Sequence, residues 1–200
     1  ILSICEKYSA KFIYISSNGI YDGEMAPYGE KSDAYPVNYY GELKLQAEAF
    51  VKKAKVQFSI VRPTLMYGWN HSFERANIVT QAISKLKSGN NVYAYDDVYT
   101  NPLFNHSCAE AIWEIIRKEK YGDYNIAGSE RASVFQLLRK VAEVFRLDEN
   151  LIKPVQQGFF NELVNRPRDT SFKTEKMESE LGLKPISLEE GLRYMEGTQK

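Results

Sequence analysis

The order of three segments near the start constrains this chain more than any other feature. Lys11 to Ser16 (KFIYIS) is a short run rich in β-branched and aromatic residues, bounded by charged residues on one side and Asn18-Gly19 on the other. Apolar on both faces, it reads as a buried strand. From Asn38 to about Ala54, the apolar positions Tyr40, Leu43, Ala47, Phe50 and Val51 recur at helical spacing among Lys and Glu. Val56 to Val61 (VQFSIV) is a second buried strand, ended by Arg62-Pro63. Strand, helix and strand within about fifty residues make a βαβ unit, which means a parallel sheet with a right-handed crossover.

Beyond that unit the pattern stays α/β. An amphipathic helix is predicted over 74–87, stopped by Ser88-Gly89, and a short strand over 91–95. Ser107 to Lys118 forms a helix with Ala109, Ile112, Trp113 and Ile116 on one face, and Asp123 to Ala127 a strand. Ser133 caps a helix running to Arg146, and two short helices, about 173–181 and 188–196, follow. Ile1 to Cys5 reads as the last turns of an apolar helix that begins without a cap. No repeat or low-complexity segment interrupts the chain.

Bulk properties remove several functions. Lys plus Arg and Asp plus Glu number 26 each, so there is no net charge to hold a nucleic-acid backbone or an anionic membrane. No apolar run approaches the length of a membrane span. Cys5 and Cys108 form no CxxC pair and suit a reducing compartment with buried thiols, so a cytoplasmic enzyme is expected. His71 and His106 have no second ligand at metal spacing, and no metal site is expected. A Gly-x-Ser-x-Gly hydrolase elbow is missing, and Asp96-Asp97 reads as a turn.

The chemistry gathers around Tyr40 and Lys44. Four residues apart on a helix they share a face, so the ammonium can sit close to the phenol and favour its ionised form. A phenol placed so can give a proton to a carbonyl oxygen or take one from a hydroxyl. The spacing alone says little: with 14 Tyr and 17 Lys, chance predicts about one such pair. Its context says more. Ser17 lies just past a buried strand, the Tyr40 helix follows the next loop, and ligands of open parallel sheets bind beyond the carboxyl ends of the strands.

Ser16-Ser17-Asn18-Gly19-Ile20-Tyr21, then Pro36-Val37-Asn38-Tyr39-Tyr40-Gly41-Glu42-Leu43-Lys44 with Glu48, then Arg62-Pro63-Thr64-Leu65-Met66-Tyr67-Gly68 stand in one order. That order resembles the extended short-chain dehydrogenase/reductases that act on nucleotide sugars. Within them, Asp22-Gly23 with Pro27-Tyr28, Tyr95-Asp96-Asp97 through Asn101-Pro102, and Arg166-Pro167-Arg168-Asp169 are similar to the dTDP-4-dehydrorhamnose reductase group. The resemblance implies an α/β fold: a Rossmann-like doubly wound parallel sheet with a smaller mixed α/β C-terminal substrate-binding region. Residues 1–68 and parts of 74–127 would belong to the former, and 69–73, 91–106 and 128–200 mainly to the latter. It implies hydride transfer from NADPH or NADH, NADPH preferred, to a keto carbon of a nucleotide-linked 4-keto-6-deoxy sugar. Ser17 and Tyr40 would hold the keto oxygen, with Tyr40 as proton donor, and Lys44 would bind the nicotinamide ribose. Ser16 and Pro63 would lie by the cofactor. Asn18, Tyr67 and Arg166 are the substrate candidates, Arg166 for the diphosphate, and Tyr39 and Phe73 are further aromatic candidates.

Two departures from that pattern matter. An Asp and an aromatic usually follow the catalytic hydroxyl, where this chain has Asn18 and Gly19; the same pair argues against a dehydratase, which needs carboxylates there. The glycine-rich loop that holds a cofactor pyrophosphate is also missing. With the uncapped start, this gives the expectation that the first strands and that loop lie outside these 200 residues. Two alternatives stay open: a nucleotide-sugar 4-epimerase with retained NAD, and a non-catalytic regulatory subunit resembling that of methionine adenosyltransferase. A homodimer is open as well.

Overall fold

Alternation of short apolar strands with amphipathic helices gives the expected layers. The computed structural model describes residues 1–71, 73–160 and 164–198. Ser72, 161–163 and 199–200, which fall in the predicted substrate region, lie outside the described residues. In chain order the elements are α1 (Leu2–Lys7), β1 (Phe12–Ile15), α2 (Tyr39–Lys53), β2 (Phe58–Pro63), β3 (Met66–Tyr67), α3 (Ile78–Lys87), β4 (Val92–Tyr95), β5 (Tyr99–Thr100) and β6 (Leu103–Phe104). They continue with α4 (Asn105–Arg117), β7 (Gly122–Ile126), β8 (Ala132–Ser133), α5 (Val134–Phe145), β9 (Ile152–Val155) and α6 (Leu188–Gly197).

The main sheet has the order β1-β2-β7, all parallel, with Ile15 opposite Val61 and Val61 opposite Tyr124. Side chains alternate across it. Val61, Tyr124 and Ile126 pack under Cys108, Ala111 and Ile115 of α4. Arg62 and Asp123 point the other way, toward α2. Helices therefore cover both faces, and the fold is a Rossmann-like α/β sheet. Among the described residues β1 pairs only with β2, so its other edge is open.

The remaining strands form small two-stranded pairs: β3 with β6, β4 with β9, and β5 with β8, the last antiparallel. α3, α5 and α6 close over β4, β6 and β9 in a second core built on Val79, Leu137, Val141 and Leu192. Ser133 caps α5 as expected, and Gln136 returns the hydrogen bond, which completes a capping box. α3 begins at Ile78 rather than at 74, because the Asn77 side chain accepts from the Val79 and Thr80 N–H groups and fixes the cap there.

Candidate functional site

β1 ends at Ile15, and the chain leaves the sheet through Ser16 and Ser17, so the Ser17 side chain stands at the carboxyl end of the strands. Its Oγ accepts a hydrogen bond from the Gly19 N–H at 3.0 Å, capping one short helical turn over Asn18–Ile20. A hydroxyl that accepts still has its own proton to give. Tyr40 arrives from the first turn of α2, 56% exposed. A Cβ placed on Gly19 would lie 3.3 Å from Tyr40 Cε1 and 3.4 Å from Ser17 Oγ. Gly19 thus marks the narrow gap across which the Ser17 hydroxyl and the Tyr40 ring face one another. Lys44 lies one turn further along; its ammonium donates to the Ile15 carbonyl at 3.0 Å and sits 5.8 Å from the Tyr40 ring centre.

The placement of α2 has three supports. Asn38 caps it, accepting from the Gly41 N–H at 3.0 Å, while its amide donates to the Asn165 carbonyl at 2.9 Å. Gly41 lets the helix press on the turn below, since a Cβ there would lie 2.1 Å from the Gly19 carbonyl oxygen. Glu48, three turns along, takes two hydrogen bonds from Arg62 at 2.8 and 2.6 Å, and Arg62 also reaches Asp123 at 2.7 Å. Both members of the Glu48–Arg62 pair are buried. Burial pushes the Glu48 carboxyl up, but hydrogen bonds from Arg62 and its charge outweigh that and hold it below the usual carboxylate range.

In front of Ser17 and Tyr40 opens a cavity of about 370 Å³. Its lining includes the apolar Leu65, Ile78, Val98 and Val134 together with Tyr93, Phe160 and Arg166. Of the predicted site residues, Ser17, Asn18, Tyr40 and Arg166 come together on this cavity. Lys44 does not line it; its ammonium is held at the Ile15 carbonyl, one turn along α2 from Tyr40. Ser16 and Pro63 are buried at the ends of β1 and β2 and do not line it.

Tyr67 is a correction. It is buried in the second core against Phe104, with its hydroxyl beside Gly191 of α6, and burial pushes its phenol well above the ordinary range. Its aromatic bulk fills the space between β3 and α6, so it does not touch a ligand in the cavity. Tyr39 and Phe73 also lie off the cavity, both exposed, Phe73 stacked on His71. Sequence reasoning missed Asn38, Thr100 and Thr170. Asn38 was legible as a helix cap; the threonines reach the site only through the pairing of distant segments.

Comparison with known proteins agrees with this fold. The family model of the RmlD substrate binding domain matches residues 1–198. The crystal structure of dTDP-4-dehydrorhamnose reductase from Bacillus anthracis in complex with NADP superposes with a TM-score of 0.90 at 24% identity, covering 99% of this chain and 69% of that one. The protein named "Probable low-salt glycan biosynthesis reductase Agl14" of Haloferax volcanii is 24% identical over 198 residues, 98% of this chain and 66% of that protein. Methionine adenosyltransferase 2 subunit beta of Pongo abelii is 24% identical over 176 residues, 85% of this chain and 52% of that subunit. The chain thus spans between half and two thirds of the length of these two relatives. With the parallel sheet, the Ser17 turn and the Tyr40 helix inside the matched span, the chain belongs to the RmlD substrate binding domain family.

Proposed function

We propose that these residues form the proton-transfer and sugar-binding part of a nicotinamide-dependent reductase acting on a nucleotide-linked 4-keto-6-deoxy sugar. The observation that carries this reading is the Ser17 hydroxyl and Tyr40 ring facing one gap at the sheet's carboxyl end, with Lys44 one turn away. Bound NADPH or NADH, NADPH preferred, would supply the hydride. Ser17, whose acceptor side is used by Gly19, gives its O–H only to a long contact with the Asn18 side-chain oxygen at 3.4 Å, which a carbonyl oxygen would replace. Tyr40 would give its proton to that oxygen as negative charge develops there.

The chain fits the nicotinamide half of the cofactor. Lys44 is anchored to Ile15 by one of its three N–H groups, leaving two for ribose hydroxyls. Ser16 and Pro63, at the ends of adjacent strands, would border the ring. Arg166 on the cavity lining suits a diphosphate, and the apolar Leu65, Ile78, Val98 and Val134 suit a sugar methyl group better than a hydroxymethyl.

The test uses the protein expressed from its complete reading frame, with NADPH and a dTDP-4-keto-6-deoxyhexose, dTDP-4-dehydrorhamnose first. NADPH oxidation is expected, and Tyr40→Phe should slow it by about a hundredfold or more; a wild-type protein inert toward this and related keto sugars would sink the proposal. A second reading, a regulatory subunit, is favoured by the similarity to subunit beta of methionine adenosyltransferase 2. On that reading Tyr40→Phe leaves the biological activity and partner binding intact.

A further inference from the structure

We infer that Asn18, Thr100 and Thr170 form a specificity element that offers hydrogen-bond donors, and no negative charge, to the ligand group lying beside Ser17. This rests on the reading of the cavity as a nucleotide-sugar site. The Asn18 amide donates to Thr170 Oγ1 at 2.7 Å and to Thr100 Oγ1 at 3.4 Å, while its oxygen accepts from Ser17 Oγ at 3.4 Å. Three distant segments therefore meet on one side chain. All three residues line the cavity, the two threonines only 6% and 7% exposed.

The direction of these bonds decides what the wall can do. Each threonine oxygen accepts from Asn18, so each hydroxyl keeps its proton for another partner. The backbone holds both hydroxyls in place: Thr170 N–H donates to the Tyr99 carbonyl at 3.0 Å, and Tyr99 N–H to the Arg168 carbonyl at 2.7 Å. The nearby Asp169 carboxylate is engaged by Arg131 at 2.6 Å and the Ser171 N–H at 3.0 Å, and Arg131 lies over the Tyr99 ring. Among the described residues lining the cavity, Arg166 is the only charged one. The wall next to Ser17 is thus neutral and donor-rich, suited to the acceptor oxygens of a sugar.

A carboxylate at position 18 would reverse this. It can only accept, so it would take the threonine protons for itself and set a negative charge beside the carbonyl oxygen that must gain electrons. The Asn found here, where related reductases usually carry Asp, therefore changes the polarity of the wall.

The test compares wild type, Asn18→Asp, Thr170→Val and Thr170→Ser, each made from the complete reading frame. Calorimetric titration with dTDP-4-dehydrorhamnose is paired with KM and kcat for NADPH oxidation and with a melting curve. Asn18→Asp and Thr170→Val should each weaken binding about tenfold, as loss of one hydrogen bond does. In Thr170→Val KM should rise more than kcat falls, in Asn18→Asp kcat should fall as well, and Thr170→Ser should restore wild-type affinity. Should Asn18→Asp not fold, the Val and Ser pair still decides. Wild-type binding that is unchanged in both Asn18→Asp and Thr170→Val overturns this inference alone, as does a Thr170→Ser variant as weak as Thr170→Val. A wild type that ignores the probe overturns the reading of the site and the inference with it.

Discussion

Glu48 and Arg62 touch no ligand, yet the Tyr40 position depends on them. A buried bidentate pair draws α2 onto the sheet, and Asp123 and the Tyr21 hydroxyl at 3.2 Å satisfy more of the guanidinium. Removing one partner leaves the other charged and dry, so Glu48→Ala should cost about 3–5 kcal/mol in urea unfolding. The pair also sets an acid limit. The Glu48 carboxyl is held below its ordinary range in the fold, so its contribution is fully present above its unfolded value of about 4.3 and disappears as pH falls through the folded value. Unfolding free energy measured from neutral pH downward should therefore fall most steeply below about pH 4, and Glu48→Gln should flatten that slope. An equally steep slope in the variant would assign the acid lability to other carboxylates.

At the scale of elements, the site is a contact between one helix and one turn. Gly41 presses on the Gly19 carbonyl with no room for a methyl group, and the Pro36 side chain is 2.8 Å from the same point. Gly41→Ala must lift the start of α2 from the Ser17 turn. We expect about 1–3 kcal/mol of destabilisation and a loss of turnover beyond what the fraction unfolded explains, checked by a melting curve and single-turnover kinetics on the same sample. A variant with wild-type turnover would mean that α2 slides without disturbing Tyr40. The elements at this contact were legible because their signals are local: β1, α2 and β2 follow from periodicity, and the α5 cap from Ser133. The two-residue strands β3, β5, β6 and β8 were not, since each is defined only by a partner far along the chain. Thr100 and Thr170 escaped notice for that reason. Tyr67 was misjudged because a tyrosine near a motif gives no sequence sign of whether its ring faces a cavity or a helix glycine.

For the whole molecule, surface matters as much as site. α1, its C-cap, β1 and α2 each leave apolar side chains exposed, namely Ile4, Tyr8, Ile15, Leu43 and Phe50, with Phe50 at 69% and Leu43 at 46%. Leu43 and Phe50 are two turns apart on α2 and share a face. An open strand edge next to exposed apolar side chains favours self-association. Charge does little to oppose it, because the 26 cationic and 26 anionic residues cancel and the isoelectric point is near 6.9. A polypeptide of these 200 residues alone is thus expected to scatter light increasingly with concentration near neutral pH. Scattering should fall on moving to about pH 9, where net charge grows. The Phe50→Lys variant should be less associated at neutral pH while keeping its melting temperature, because the replaced ring packs on nothing buried. If the polypeptide stays monodisperse at high concentration, or Phe50→Lys scatters as strongly as wild type, this face is not the source of association. The cavity, Ser17 and Tyr40 lie at the carboxyl end of the same strands, so self-association through exposed side chains near them would bear on access to the site.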